Sequence, residues 1–277
     1  MALVSWWVVR LALRPIDRMR DAMADFGRDI TRPALPLDGP IELRRTFETF
    51  NQMQDQIRAF MTERTDMLAA ITHDLKTPLT RMRLRLEDVS EIDTKKKLQD
   101  DLLFMQRLID EGLELAKSHH SSEPQREIEL TFLIQSLCDD LADAGHDVQF
   151  EDSGFRSGML VYAQAFCLRR IFENLLDNAI KYGMRARVRV RETPTYIYVT
   201  IEDDGPGIPE SQIAGVLDPF VRLENSRSRE TGGTGLGLAI ASNLVQAQGG
   251  VLHLRNREHG GLEVEVILNR LKRMASD

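Results

Sequence analysis

The sequence predicts a multidomain α+β protein. A helical first half, including a helical hairpin that closes into a four-helix bundle as a dimer, is followed by an α/β sandwich. Three observations carry this. Apolar residues recur at spacings of three and four from Leu43 to Ala116. From residue 126 the pattern changes to short alternating segments separated by helical stretches. Glycine-rich turns, Gly205-Pro206-Gly207 and Gly232-Gly233-Thr234-Gly235-Leu236-Gly237, punctuate that second half.

At 277 residues the chain has room for more than one core, and 42% apolar with 29% charged residues reads as globular. A net charge of -7 without any Lys/Arg block argues against broad nucleic-acid binding. Cys138 and Cys167 lie in helical patterns without metal-ligand spacing, which predicts buried free thiols in a reducing compartment.

Residues 1–14 read as the inner end of a truncated membrane helix. The apolar run from Ala2 to Val9 falls short of the roughly 20 residues a span requires. It contains Trp6 and Trp7, suited to an interface, and is followed by Arg10, Arg14, Arg18 and Arg20, the basic excess of a cytoplasmic flank. The flank predicts that the residues that follow face the cytoplasm, with an amphipathic helix lying on a membrane surface as the alternative.

Ile16, Met19, Met23 and Phe26 form one helical stripe, and Leu43, Phe47, Phe50 and Ile57 another. Arg32 to Pro40 is a proline-rich connector with Leu35 and Leu37 as apolar anchors. Two such helices cannot bury their stripes alone and should pair with a second copy. With Gly39-Pro40-Ile41-Glu42 opening the second helix, residues 15–62 resemble a HAMP signalling module.

Residues 63–119 carry Leu68, Ile71, Leu75, Leu79, Met82, Leu86 and Val89, then a turn near Ser90. Leu98, Leu102, Met105, Ile109, Gly112 and Ala116 follow. This is a helical hairpin, dry on both stripes only in a dimer. In residues 124–272 the expected strands include 148–150, 187–191, 196–202, 251–255 and 262–268, and the expected helices cover 130–144, 163–182 and 235–248.

His73-Asp74-Leu75-Lys76-Thr77-Pro78-Leu79 is the sharpest local signal. His73 lies two residues, roughly 200°, from the stripe residue Leu75, so it faces solvent, as a nucleophile should. Asp74 can accept the proton of one ring nitrogen while the other attacks phosphorus. Thr77 lies one turn on, where its hydroxyl could position a water. Pro78 removes an N–H and should bend the helix.

Asn174, Asn178 and Lys181 fall about one turn apart on one helix face, pairing a neutral amide suited to Mg2+ with a cation suited to phosphate. Asp203 ends a strand, where its carboxylate can accept from an adenine amino group, and Gly205 and Gly207 let the backbone come close. The turn from Gly232 runs into a helix whose first N–H groups can cradle phosphate. No Gly-Lys-Ser/Thr closes it, so it is not a Walker loop.

Together these residues resemble the histidine-kinase catalytic module of the gyrase and heat-shock-chaperone ATPase superfamily. The resemblance spans about residues 15–270. It maps Asn174 and Asn178 onto the N box, followed on the same helix by Lys181 and Tyr182. Asp203, Gly205 and Gly207, with Ile208, fall on the first glycine box, and Asp218-Pro219-Phe220 on the phenylalanine box. Gly233, Gly235 and Gly237, with Thr234, Leu236 and Leu238, fall on the second glycine box. It implies ATP and Mg2+ as cofactors, the metal on Asn178, and a lid over residues 208–232 with Phe220 as apolar anchor and Arg222 or Arg229 meeting phosphate. The motif from His73 to Arg81, with Asp218-Pro219-Phe220-Val221-Arg222, looks most like the EnvZ-type osmosensor kinases.

The function so implied is a homodimeric sensor kinase that phosphorylates His73 and passes phosphate to the receiver domain of a cytoplasmic response regulator. Thr77 implies that it also dephosphorylates that regulator. An ATP-driven conformational machine is the competing reading. Asn174 stands where those ATPases place a water-activating glutamate, which favours transfer over hydrolysis. A scaffold without catalysis is disfavoured by the intact Asp74, Asn178 and glycine boxes.

Overall fold

The computed structural model describes residues 6, 17, 19, 20, 22, 23, 26, 33–118, 123–151, 159–221 and 233–271. The chain divides into two compact units, Met1–Ala70 and Ile71–Asp277. Among the described residues no helix is long and apolar enough to cross a membrane. Of residues 1–14 only Trp6 is described, and it is exposed, so the membrane reading lies outside the described residues.

In the first unit the predicted stripes turn inward at Phe26, Phe47 and Phe50, whereas Met23, expected on the same stripe as Phe26, is exposed. Phe47 and Phe50, on helix α1 (Ile41–Leu86), are buried with Phe26, whose ring meets Phe50 edge-on at 6.0 Å. Gln54 continues the stripe in the place of an apolar residue, fully buried, its Oε1 lacking a hydrogen-bond partner among the described residues. The connector is held at Leu35, whose N–H and C=O both bond the Asn51 amide at 2.8 and 2.9 Å. Leu37, expected as a second anchor, is exposed, because the Asn51 clamp reaches only the Leu35 backbone.

α1 continues through Pro78 as one helix and, with α2 (Ile92–Lys117), forms the expected hairpin. Lys76 and Asp110 pair across it at 2.6 Å. Ile71, Leu75, Met82, Leu98 and Met105 remain exposed in the single chain, and α2 has no buried residue.

The remainder is a five-stranded sheet, order β2-β4-β5-β7-β6, with helices packed against it. Its strands are β2 (Asp147–Glu151), β4 (Arg185–Glu192), β5 (Tyr196–Asp203), β6 (Val251–Asn256) and β7 (Leu262–Asn269). Only β2–β4 is parallel; the other neighbours are antiparallel. The packed helices are α3 (Leu130–Asp143), α4 (Ala165–Gly183) and α6 (Gly237–Ala247). Alternation explains the layering. Ala186, Val188 and Val190 point into the core with Ile197, Val199 and Ile201, while Arg187, Arg189 and Arg191 point away. The outward arginines pair with acids, Arg189 with Glu151 and Glu202 on the neighbouring strands and Arg187 with Asp204 just past the end of β5, so this face needs no helix over it.

Three elements were not expected: β1 (Arg126–Glu129) and β3 (Leu160–Ala163), paired antiparallel as a two-stranded sheet, and the one-turn α5 (Glu210–Ile213). Four residues are too few to show a period, and β1 is mostly charged. The expected helix from 163 starts at Ala165 because Ala163 belongs to β3. Both cysteines are buried outside any disulfide, the Cys167 thiol donating to Gln164 Oε1 at 3.2 Å, and burial, then Asp139, pushes the Cys138 thiol up to about 12.

Candidate functional site

The site is assembled from α4, the loop after β5 and the turn into α6. Ile171, Phe172, Leu175, Leu176 and Ala179 bury one side of α4, which leaves Asn174, Asn178 and Lys181 half-buried along its opposite edge. The glycines explain how close the loops come to that edge. A Cβ on Gly233 would lie 2.7 Å from Lys181 Nζ and 2.8 Å from Tyr182 Oη, and one on Gly237 would lie 3.5 Å from Asn174 Oδ1. A Cβ on Gly205 would lie 2.7 Å from the Tyr182 carbonyl. The structure therefore brings the three sequence motifs to one place. Among the described residues the buried Asn174 Nδ2 has no hydrogen-bond partner, a donor left for a ligand.

Asp203 is only 7% exposed at the end of β5. Its Oδ1 accepts from Gly205 N–H at 2.8 Å and Leu262 N–H at 3.0 Å. Burial raises its pKa above the ordinary 3.8, with those two N–H groups pulling the other way. Asp204 beside it is held below its usual range, first by its hydrogen bond from Arg257. α4 ends at Gly183 and Met184 takes the left-handed cap at φ 58. Glycine is spent one residue earlier, where a Cβ would lie 2.4 Å from Asp203 Cβ.

Leu236 and Ile208 are buried, Leu238 is half-buried, and Thr234 lies at the mouth of the second turn with its Oγ1 accepting from Leu236 N–H at 3.3 Å. Phe220, expected as an apolar anchor, is 61% exposed. It is held through the main chain instead, its N–H donating to Gly235 O at 3.0 Å with φ 65. Arg222, Arg229 and the rest of 222–232, the second part of the expected lid, lie outside the described residues, while its first part carries the short helix α5.

His73 and Asp74 stand apart from this site at 83% and 84% exposure, their Nδ1 and Oδ1 atoms 3.4 Å apart. Thr77 is exposed on the same helix. The outward position expected of His73 is the one it occupies, and the fold does not pack it against the α4 residues.

The sequence reading missed Glu111 and Glu114 on α2, which touch the second glycine turn at Thr234 and α4 at Arg170. It also missed Asn256, Arg257 and Gly261, which grip the Asp203 loop. The Gly260-Gly261 pair between two alternating segments was the one available signal for the latter.

A strand-end carboxylate, a polar helix edge and a glycine turn opening a helix define an ATP site of the kind shared by several ATPases. Residues 164–272 match the family of histidine kinase-, DNA gyrase B- and HSP90-like ATPases, and residues 7–59 match the HAMP domain. The sensor histidine kinase GtrS of Pseudomonas aeruginosa is 35% identical over 93% of this chain and 53% of its own. The sensor protein RstB of Escherichia coli is 30% identical over 88% of this chain and 58% of its own. The crystal structure of full-length ShkA in complex with AMPPNP shares the fold, with a TM-score of 0.58 at 20% identity, over 75% of this chain and 46% of that one. The chain belongs to the bacterial sensor histidine kinases. It spans about half the length of the curated relatives it matches.

Proposed function

We propose that the chain binds MgATP between α4 and the two glycine turns and transfers the γ-phosphate to His73, then to an aspartate of a response-regulator receiver domain. The observation that carries this is the pairing of a converged nucleotide site with a separate, exposed histidine. Phosphoryl transfer depends chiefly on positioning and charge neutralisation, so a fixed acceptor visited by an ATP domain is a sufficient design. Asn178 would hold Mg2+, which neutralises phosphate charge; the orphaned Nδ2 of Asn174 beside it fits a polar ligand. Lys181 would meet phosphate, and Tyr182, Ile208 and Leu236 to Leu238 would line the nucleotide. Asp74 would take the ring proton of His73, leaving the other nitrogen free to attack.

The exposed apolar stripe on α1 and α2 supports a homodimer, a four-helix bundle burying Ile71, Leu75, Met82, Leu98 and Met105. Boundaries at 15–62, 63–119 and 124–272 follow for the HAMP, phosphoacceptor and catalytic parts, with residues 1–14 leading to the inner membrane. Thr77, exposed one turn from His73, supports a second activity as regulator phosphatase.

Incubation with γ-labelled ATP should give a label that is acid-labile and alkali-stable, and that disappears in His73→Gln. Label persisting in that variant would overturn the assignment.

A further inference from the structure

Resting on the ATP reading above, we infer that Asn256 is a positioning residue for the nucleotide base. It sits at the end of β6, 48 residues from Ile208, yet its side chain pairs with both main-chain polar groups of that residue. Oδ1 accepts from the Ile208 N–H at 2.8 Å, and Nδ2 donates to the Ile208 carbonyl at 2.6 Å. The planar amide thus takes the place of a neighbouring strand at the end of the 203–208 loop, where no strand is available. Gly207 is fitted to it: its φ is +72, and a Cβ there would lie 2.6 Å from Asn256 Oδ1.

The next residue secures the other end of the same loop. Arg257 donates from one guanidinium nitrogen to the Asp203 carbonyl at 2.6 Å and to Asp204 Oδ1 at 2.7 Å. Gly261 lets the β6–β7 turn come this close, since a Cβ there would lie 2.0 Å from the Asp203 carbonyl oxygen. Leu262 N–H and Gly205 N–H both occupy Asp203 Oδ1, which leaves Oδ2 as the oxygen to face a base amine. The carboxylate and the glycine backbone proposed to meet the base are therefore both set from the β6–β7 turn. Asn256 is the only one of these groups whose side chain can donate to and accept from one residue at once.

The prediction is a loss confined to the base. In the full chain with Mg2+, Asn256→Ala should weaken ADP binding about tenfold, the equivalent of about 1.4 kcal/mol, and leave inorganic tripolyphosphate binding unchanged. The KM for ATP in autophosphorylation should rise in step while the rate at saturating ATP stays within about twofold, as expected for lost ground-state binding. Asn256→Ser keeps one hydrogen-bonding group without adding charge and should fall between. Unchanged ADP binding, or equal losses for ADP and tripolyphosphate, would overturn the inference. If Asn256→Ala does not fold, the ADP-to-tripolyphosphate ratio of Asn256→Ser decides on the same terms. Failure of the unaltered chain to bind ADP would instead remove the ATP reading itself.

Discussion

The Glu111 carboxylate on α2 accepts a hydrogen bond from the hydroxyl of Thr234, at the start of the glycine turn that leads into α6. Glu114, one turn on, is paired with Arg170 of α4. In this arrangement a negative charge rests against the loop proposed to receive phosphate. Glu111→Ala should therefore raise ATP affinity about fivefold, corresponding to about 1 kcal/mol for a charged hydrogen bond partly open to solvent. Glu111→Gln should lie between the two. Calorimetric titration with ADP checks this, and equal affinities would mean that the contact does not compete with nucleotide.

Asn178 and Thr77 should separate the two proposed activities. Asn178→Ala is expected to remove autophosphorylation and leave regulator dephosphorylation largely intact, because that reaction needs the His73 helix and no γ-phosphate. Thr77→Ala should do the reverse. Parallel loss of both activities in Asn178→Ala would argue against its place in the nucleotide site.

The raised pKa of Asp203 has a signed consequence for binding. The carboxylate serves the base amine only when ionised, so nucleotide affinity should fall as pH drops through the raised value, which lies above the ordinary 3.8. For folding the sign is the reverse of a salt-bridged acid. Between 3.8 and the raised value the native state holds the extra proton, so stability contributed by this group declines as pH rises through that window. Affinity measured against pH for the unaltered chain and for Asp203→Asn tests it, the variant being weaker and flat across the same range.

Met184 caps α4 in the left-handed region with its side chain almost fully exposed. Glycine there relieves the strain without losing a core contact, so Met184→Gly should stabilise the domain by about 1 kcal/mol. Gly183→Ala should have the opposite outcome, since its Cβ would press on Asp203. Overpacking of this kind costs about 1–3 kcal/mol, and nucleotide binding should fall with it. Thermal denaturation of the two variants makes the comparison.

Much of this fold was legible because its elements are long and periodic. The β4, β5 and β7 strands are eight residues long and alternate over most of that length, and α4 buries one apolar face. His73 faces outward as its position two residues from Leu75 predicts, although Leu75 is itself exposed in the single chain. β1 and β3 were not legible, for a four-residue strand leaves no pattern and exists here only through its partner. Nor was the exposure of Phe220 and Leu37, since an apolar residue in a connector carries no statement of whether anything covers it.

The amino-acid sequence by itself determined the long helices and strands, that Asn174, Asn178 and Lys181 would share one helix edge, that a glycine turn would open α6, and that His73 would face outward. These depend on repeats of 3.6 and 2 residues and on the conformational freedom of glycine, all local properties. Only the tertiary structure decided what grips the Asp203 loop and what rests on Thr234. Those contacts join Ile208 to Asn256 across 48 residues and Thr234 to Glu111 across 123. A hydrogen bond between groups so far apart in sequence depends on where the sheet and the helices carry them, which no local period records.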